Sequence, residues 1–170
     1  TSQTNQDDGF EGTGINGTVD VDGGSFSTNG QDGSGNGFSL QGTFSPLTID
    51  NGNYDNNAGG SGIVLAGDGS NSGTLTGVTA TGNGIDGLNA SAMSSLGDTG
   101  GTYTGNTDDG SDVSNITTVS VTGSTVDTNV DDGISAAGIG TLTVTGSTSA
   151  DSNTDDGISA TNIGTLTVNG

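Results

Sequence analysis

Carboxylates are the only strongly acidic, basic or metal-ligating side chains in this 170-residue sequence, which carries 20 Asp and Glu and no Lys, Arg, His or Cys. They are patterned. Asp8, Asp32, Asp86, Asp109, Asp132 and Asp156 each stand one residue before a glycine, and Asp7, Asp108, Asp131 and Asp155 double four of them. Hard divalent cations prefer carboxylate and carbonyl oxygens, so the first chemistry such a set supports is Ca²⁺ held between neighbouring aspartates. The second is glycoside hydrolysis by a pair of acids. The third reading is a solvated acidic edge with no ligand at all.

Which of these applies depends on what brings the acids together. Residues 123–146 and 147–170 align with 15 identities in 24 positions, and the same skeleton runs back to the first residues. It consists of an Asn, a Gly four residues later, and an apolar residue. The Asn positions are Asn5, Asn29, Asn57, Asn83, Asn106, Asn129 and Asn153, at steps of 24, 28, 26, 23, 23 and 24 residues. The Gly follows at Gly9, Gly33, Gly62, Gly87, Gly110, Gly133 and Gly157, with one extra residue in the third coil, and in the second the apolar Phe38 follows Gly37 instead of Gly33. Composition by itself points to disorder, since Leu, Ile, Val and Phe make only 32 of 170 residues beside a net charge of -20. A fixed long period overrules it, because stacked repeats build a continuous narrow core from few apolar residues.

Within each repeat the apolar residues alternate, as in short strands. Val119 and Val121, Leu142 and Val144, and Leu166 and Val168 mark one strand; Ile63 and Leu65, Ile134 and Ala136, and Ile158 and Ala160 mark a second. A third precedes the Asn and points inward Phe26, Tyr54, Ala80, Tyr103, Val126 and Ala150. No stretch has helical apolar spacing, and Gly, Asn, Asp and Thr at this density oppose helices. Repetition demands parallel stacking at about 4.8 Å, and parallel crossovers wind right-handed. The expectation is an all-β, right-handed parallel β-helix over residues 1–170, of about seven coils of 23–28 residues, with three short strands per coil.

In its Asn and Gly-apolar steps the sequence resembles the pectate-lyase-type family of right-handed parallel β-helix repeats. The resemblance implies the architecture and an internal Asn ladder, and it leaves function open. Many such proteins act on acidic polysaccharides. Lyases of that kind use Lys, Arg or His to neutralise a uronate and take its proton, and this chain has none. The NTDDG segments at Asn106–Gly110 and Asn153–Gly157 look like the NTD motif of the polygalacturonase branch, but that branch's His-containing and basic motifs are absent. The expectation is no enzyme.

Stacked on this solenoid, Asp8, Asp32, Asp86, Asp108, Asp109, Asp131, Asp132, Asp155 and Asp156 become candidate Ca²⁺ ligands. Two unit charges one strand apart repel by about 1 kcal/mol in water and several-fold more at lower dielectric, with no basic side chain to offset them. The aligned Gly is expected to supply a left-handed φ before the inward residue. Outward Thr rows, such as Thr141 and Thr143 or Thr165 and Thr167, raise an ice-binding reading. Against it, Thr alternates with inward residues anyway, and Thr79, Thr81, Thr102 and Thr104 do not clearly continue one file.

Nucleic acid and anionic membrane are excluded as partners, because both are bound through cationic side chains, and no apolar run is long enough to span a bilayer. The chain starts at Thr1 and reads as a processed product or an excised segment, placed outside the cell or on its surface by composition. Its last strand, Thr165–Val168, leads in pattern into residues 1–10, so the expected partners are copies of itself stacked head to tail or neighbouring coils of one long chain. The expected role is a structural element of an extracellular filament, sheath or adhesin stalk. The alternative is a surface module binding glycan, ice or a host surface, although four Phe, two Tyr and no Trp leave few sugar-stacking platforms.

Overall fold

A computed structural model describes all 170 residues and is a parallel β-solenoid of seven coils with no helix. Its first sheet stacks β2 (Phe10–Thr13), β5 (Phe38–Gln41), β7 (Ile63–Ala66), β9 (Leu88–Ser91), β11 (Ser111–Ser114), β13 (Ile134–Ala137) and β15 (Ile158–Thr161) in that order. The second stacks β3 (Val19–Asp22), β6 (Leu47–Asp50), β8 (Ser72–Thr76), β10 (Ser95–Thr99), β12 (Thr118–Thr122), β14 (Thr141–Thr145) and β16 (Thr165–Val168). Every pairing is parallel and joins a coil to its sequence neighbour.

Each coil therefore has two strands, and the expected third is corrected. On the third side only β1 (Ser2–Gln3) and β4 (Phe26–Ser27) pair as strands; beyond them runs a file of single bridges, Ser25–Asn53–Thr79–Thr102–Thr125–Ser149. The reason is length. Four residues lie between left-handed corners, as between Gly100 (φ 65°) and Gly105 (φ 65°), or Gly123 (φ 63°) and Thr128 (φ 60°). That leaves room for one bridging residue per coil. The inward residues expected on this side are correct: Tyr54, Ala80, Tyr103 and Val126 are buried, and Phe26 and Ala150 pack against the core.

The core is a set of files in register. Phe38, Ile63, Leu88 and Ile134 continue one, and Leu47, Leu96, Val119 and Leu142 another. At the first coils the files are aromatic, with Phe10 stacked on Phe38 at 4.8 Å and Phe26 on Tyr54 at 5.4 Å between centroids. Twenty-six buried apolar residues form one continuous cluster. At roughly 1.5–3 kcal/mol for each large side chain, these dominate the favourable side of folding.

Beside the core runs the Asn file the repeat implied. Each side-chain amide donates to the Oδ1 of the next coil's Asn, at 2.8 Å from Asn5 to Asn29, 3.0 Å in the following four steps, and 3.1 Å from Asn129 to Asn153. The backbone N–H of each Asn from Asn5 to Asn129 donates to that same oxygen. The residue before every ladder Asn is left-handed, with φ of 59°, 60°, 56°, 63°, 65°, 60° and 60° from Thr4 to Ser152. That corner turns the Asn inward.

The aligned glycines answer to space, which corrects the expected left-handed φ: of the seven only Gly33 has one. A Cβ on Gly110 would sit 2.6 Å from both the Asn129 amide nitrogen and the Gly133 carbonyl oxygen, and one on Gly133 would sit 2.5 Å from the Gly157 carbonyl. The second coil uses Gly37, before Phe38, in this file; Gly33 lies in a loop with φ 95°.

Gly110→Ala is expected to destabilise the protein by about 1–3 kcal/mol, through overpacking against backbone that cannot move aside. Gly97, on the outer face of β10 with open space around it, is the control. Gly97→Ala is expected to be neutral or slightly stabilising in chemical denaturation, and equal effects at the two positions would contradict the steric account.

Candidate functional site

The acidic residues before the glycines form a second ladder, parallel to the Asn file. Its members are Asp8, Asn36, Ser61, Asp86, Asp109, Asp132 and Asp156, and in each the side-chain oxygen accepts the backbone N–H of the next. The steps are 2.9 Å from Ser61 to Asn36, 3.3 Å from Asp86 to Ser61, 3.2 Å from Asp109 to Asp86, and 2.9 Å from both Asp132 to Asp109 and Asp156 to Asp132. The N–H of Asn36 donates to Asp8 in a short bond.

Asp32 is not in this file, which corrects its place among the candidates. It lies in the loop that lengthens the second coil, where its carboxylate accepts from the Ser34 N–H and hydroxyl. Asn36 takes its expected position. Coil three has Ser61 there, so the ladder needs an oxygen acceptor at each step and does not require a charge.

The ladder acids in the middle of the rod are buried. Asp86, Asp109 and Asp132 are 3%, 8% and 9% exposed. Asp108 and Asp131, which double Asp109 and Asp132, and Asp155, which doubles Asp156, are exposed and lie alongside. Two clusters result, Asp108–Asp109–Asp131 and Asp131–Asp132–Asp155, in each of which the carboxylate oxygens lie within 4.8 Å of one another. These five residues form the part of the predicted Ca²⁺ set that could hold a metal ion. Asp8, Asp86 and Asp156 share the ladder but belong to neither cluster. Oxygen-only ligands from adjacent coils suit a hard cation such as Ca²⁺.

Burial and crowding push these acids upward. Asp109 is raised to about 7, first by burial and then by the charges of Asp86, Asp108 and Asp132. Asp86, Asp112 and Asp131 also lie above the usual carboxylate range, burial again leading in each. Asn89 offsets part of this by donating its amide to Asp86 at 2.9 Å and to Asp112 at 3.1 Å.

A further buried acid was missed from sequence. Asp98 occupies an inward position of β10, in register with Val121 and Leu75, and is 3% exposed. It accepts from the Tyr103 hydroxyl at 2.8 Å and, in a short bond, from the Ser124 hydroxyl. Burial raises its pKa. The signal was an Asp where the strands TVSVT and TLTVT have Val.

No cleft or cavity of ligand size opens anywhere in the rod. No known protein family, no curated protein and no solved structure matches this chain. The likeness to β-helix proteins therefore extends to the parallel β-solenoid architecture.

A carboxyl group whose folded pKa is raised binds a proton in the folded state that the unfolded chain has released. Stability contributed by it is complete below the unfolded value and is lost as pH rises through the folded one. For Asp109 that window runs from 3.8 to about 7. The melting temperature in metal-free buffer is thus expected to rise as pH falls from 8 to 5. Asp109→Asn keeps an oxygen acceptor, as Asn36 does, and removes the charge. It should raise stability at pH 8 and flatten the profile, by at most about 4 kcal/mol and less after solvent screening. A variant less stable than the parent at pH 8 would refute this account.

Proposed function

We propose that this chain is a structural rod: a segment of an extracellular filament, sheath or adhesin stalk, wound right-handed as parallel crossovers are and lengthened by stacking coil on coil. The observation that carries the reading is the pair of ladders that run through every coil, beside apolar files left exposed at the last one. Asn153 presents a buried amide nitrogen with no partner, the same donor that each earlier Asn offers to its successor. Leu166 and Val168, 49% and 53% exposed, head the same files in which Leu142 and Val144 are buried.

The next coil is supplied by a second copy or by more chain of the same kind. The absence of Lys, Arg and His favours this structural reading over catalysis, and the low aromatic content favours it over a glycan module. An extracellular or cell-surface setting suits a polyanionic rod, whose charge keeps neighbours apart laterally while leaving the ends free.

Calcium belongs to the same proposal. An ion at Asp108, Asp109 and Asp131, with a second at Asp131, Asp132 and Asp155, would tie consecutive coils and hold those carboxyls ionised. Binding only to the folded rod adds about 2.7 kcal/mol at a hundredfold excess over Kd. A melt in millimolar Ca²⁺ at pH 7 is therefore expected to exceed one in EDTA, and Asp131→Asn, which touches both clusters, should remove the difference. Coincident melts would end the calcium reading and leave the rod untouched.

Negative-stain microscopy tests the rod. Filaments or end-joined rods are expected in physiological salt, with Leu166→Asp giving single short particles and an unchanged circular dichroism spectrum. Isolated short particles from the parent protein at every salt and Ca²⁺ concentration would count against self-stacking.

A further inference from the structure

On the outer face of the second sheet the acids are confined to its first two strands, as Asp20 and Asp22 of β3 and Asp50 of β6. Across β8, β10, β12, β14 and β16 the inward residues include Leu75, Leu96, Val119 and Leu142, and the single acid, Asp98, also points inward. The outward residues are Thr, Ser and one Gly throughout. Strand pairing sets them in three straight files, one of which runs Thr74–Gly97–Ser120–Thr143–Thr167. The other two flank it on the same strands, from Ser72 to Thr165 and from Thr76 to Thr145. The ordered array therefore occupies the outer face of the second sheet from β8 to β16, and Asp50, paired with Thr76, marks its edge. Thr79, Thr81, Thr102 and Thr104, which do not extend these files, belong to the third side of the coil.

The array is a lattice in two directions. Files repeat along the rod at about 4.8 Å, and outward residues repeat along a strand at about 6.6 Å. Threonine suits a fixed lattice because its β-branch restricts χ1, so hydroxyl and methyl hold their places with little entropy left to lose on binding. Among the hydroxyls of β12, β14 and β16, only Thr122 and Thr145 approach each other, at 3.4 Å; the others face outward. A surface that repeats in two dimensions, donates and accepts at each node, and carries no charge to impose its own water orientation fits a ligand that is itself such a lattice.

We propose that this Ser/Thr face is an ice-binding surface, whose ligand is the ordered water of an ice crystal plane. The repeat distances of hexagonal ice are of comparable size to this mesh. A crystalline polysaccharide is the other periodic partner, and it is disfavoured because sugar faces stack on aromatic rings and this face has none. The inference stands apart from the structural role, since it needs only the face that β8 to β16 of one chain present.

The experiment is growth of single ice crystals in supercooled solutions of the whole chain, read as crystal shape and as the gap between melting and growth temperatures. The parent protein is expected to facet the crystals and open a gap. Thr143→Asp and, independently, Thr118→Lys should close it with an unchanged circular dichroism spectrum. Ser135→Asp, on the outer side of β13 in the other sheet, should leave it intact, and Gly97→Thr, which fills the one vacant node, should widen it. Round crystals growing freely at every parent concentration would overturn the proposal. So would a gap that survives both face variants, or adsorption to crystalline cellulose or chitin without any effect on ice.

Discussion

The hydrogen bond from one asparagine amide to the next, 2.8 to 3.1 Å long at every step, fixes the rest of this molecule. It closes only if consecutive coils sit one strand spacing apart and in one register, because a side-chain amide has no reach to spare. The glycine four residues on then has no freedom either: the next coil's carbonyl and the ladder amide already occupy the place of its Cβ. Loops absorb all variation in coil length. The second coil is four residues longer than the first, and its surplus emerges around Asp32 and Ser34 while Asn29, Gly37 and Phe38 stay in file.

The acidic ladder shows the same constraint met with different chemistry. Asn36 and Ser61 occupy two of its seven places and accept the next N–H as the aspartates do, so the hydrogen bonding is indifferent to charge. A buried aspartate at such a place is destabilised by burial and by the acids above and below it, which is why Asp109 titrates near 7. Asn would satisfy the backbone without that cost. Carrying Asp at five places, doubled outward at four of them, therefore has a basis other than folding, and oxygen clusters shared between coils are the feature that the charge adds.

Much of this was legible in the sequence because a solenoid converts sequence period directly into spatial register. The coil count, the Asn file, the inward aliphatic files and the inward residues of the third side all follow from one alignment of the repeats. What was not legible depended on distances between coils. Whether a glycine is kept for its φ or for its missing Cβ cannot be read from its spacing, and here the second reason holds. Asp32 was misplaced because the alignment kept Gly33, four residues after Asn29, although the inward Phe38 follows Gly37; the pairing of β2 with β5 puts Asn36 and Gly37 in file. The third strand was overcounted because alternation marks inward residues without saying how many neighbours also pair. The Ser/Thr files of the second sheet were not legible because Thr79 and Thr102, compared with them in sequence, lie on the third side of the coil.

Stacking also decides which force governs the ends of the rod. Each coil is buried mainly by its two neighbours, so stability accumulates along one dimension. Leu142 and Leu166 belong to one file, yet the first is 0% and the second 49% exposed, the difference being a single following coil. Supplying that coil from a folded copy buries both apolar ends at roughly 1.5–3 kcal/mol for each large side chain, without the 1–2 kcal/mol per residue, approximately, that ordering fresh backbone costs. Charge opposes the joint, because each copy carries -20. At physiological ionic strength, however, that repulsion is screened within about 8 Å, less than two strand spacings. In the proposed joint only the acids of the two meeting coils would then act across the junction, against the burial of the apolar files, while repulsion separates rods side by side at low salt.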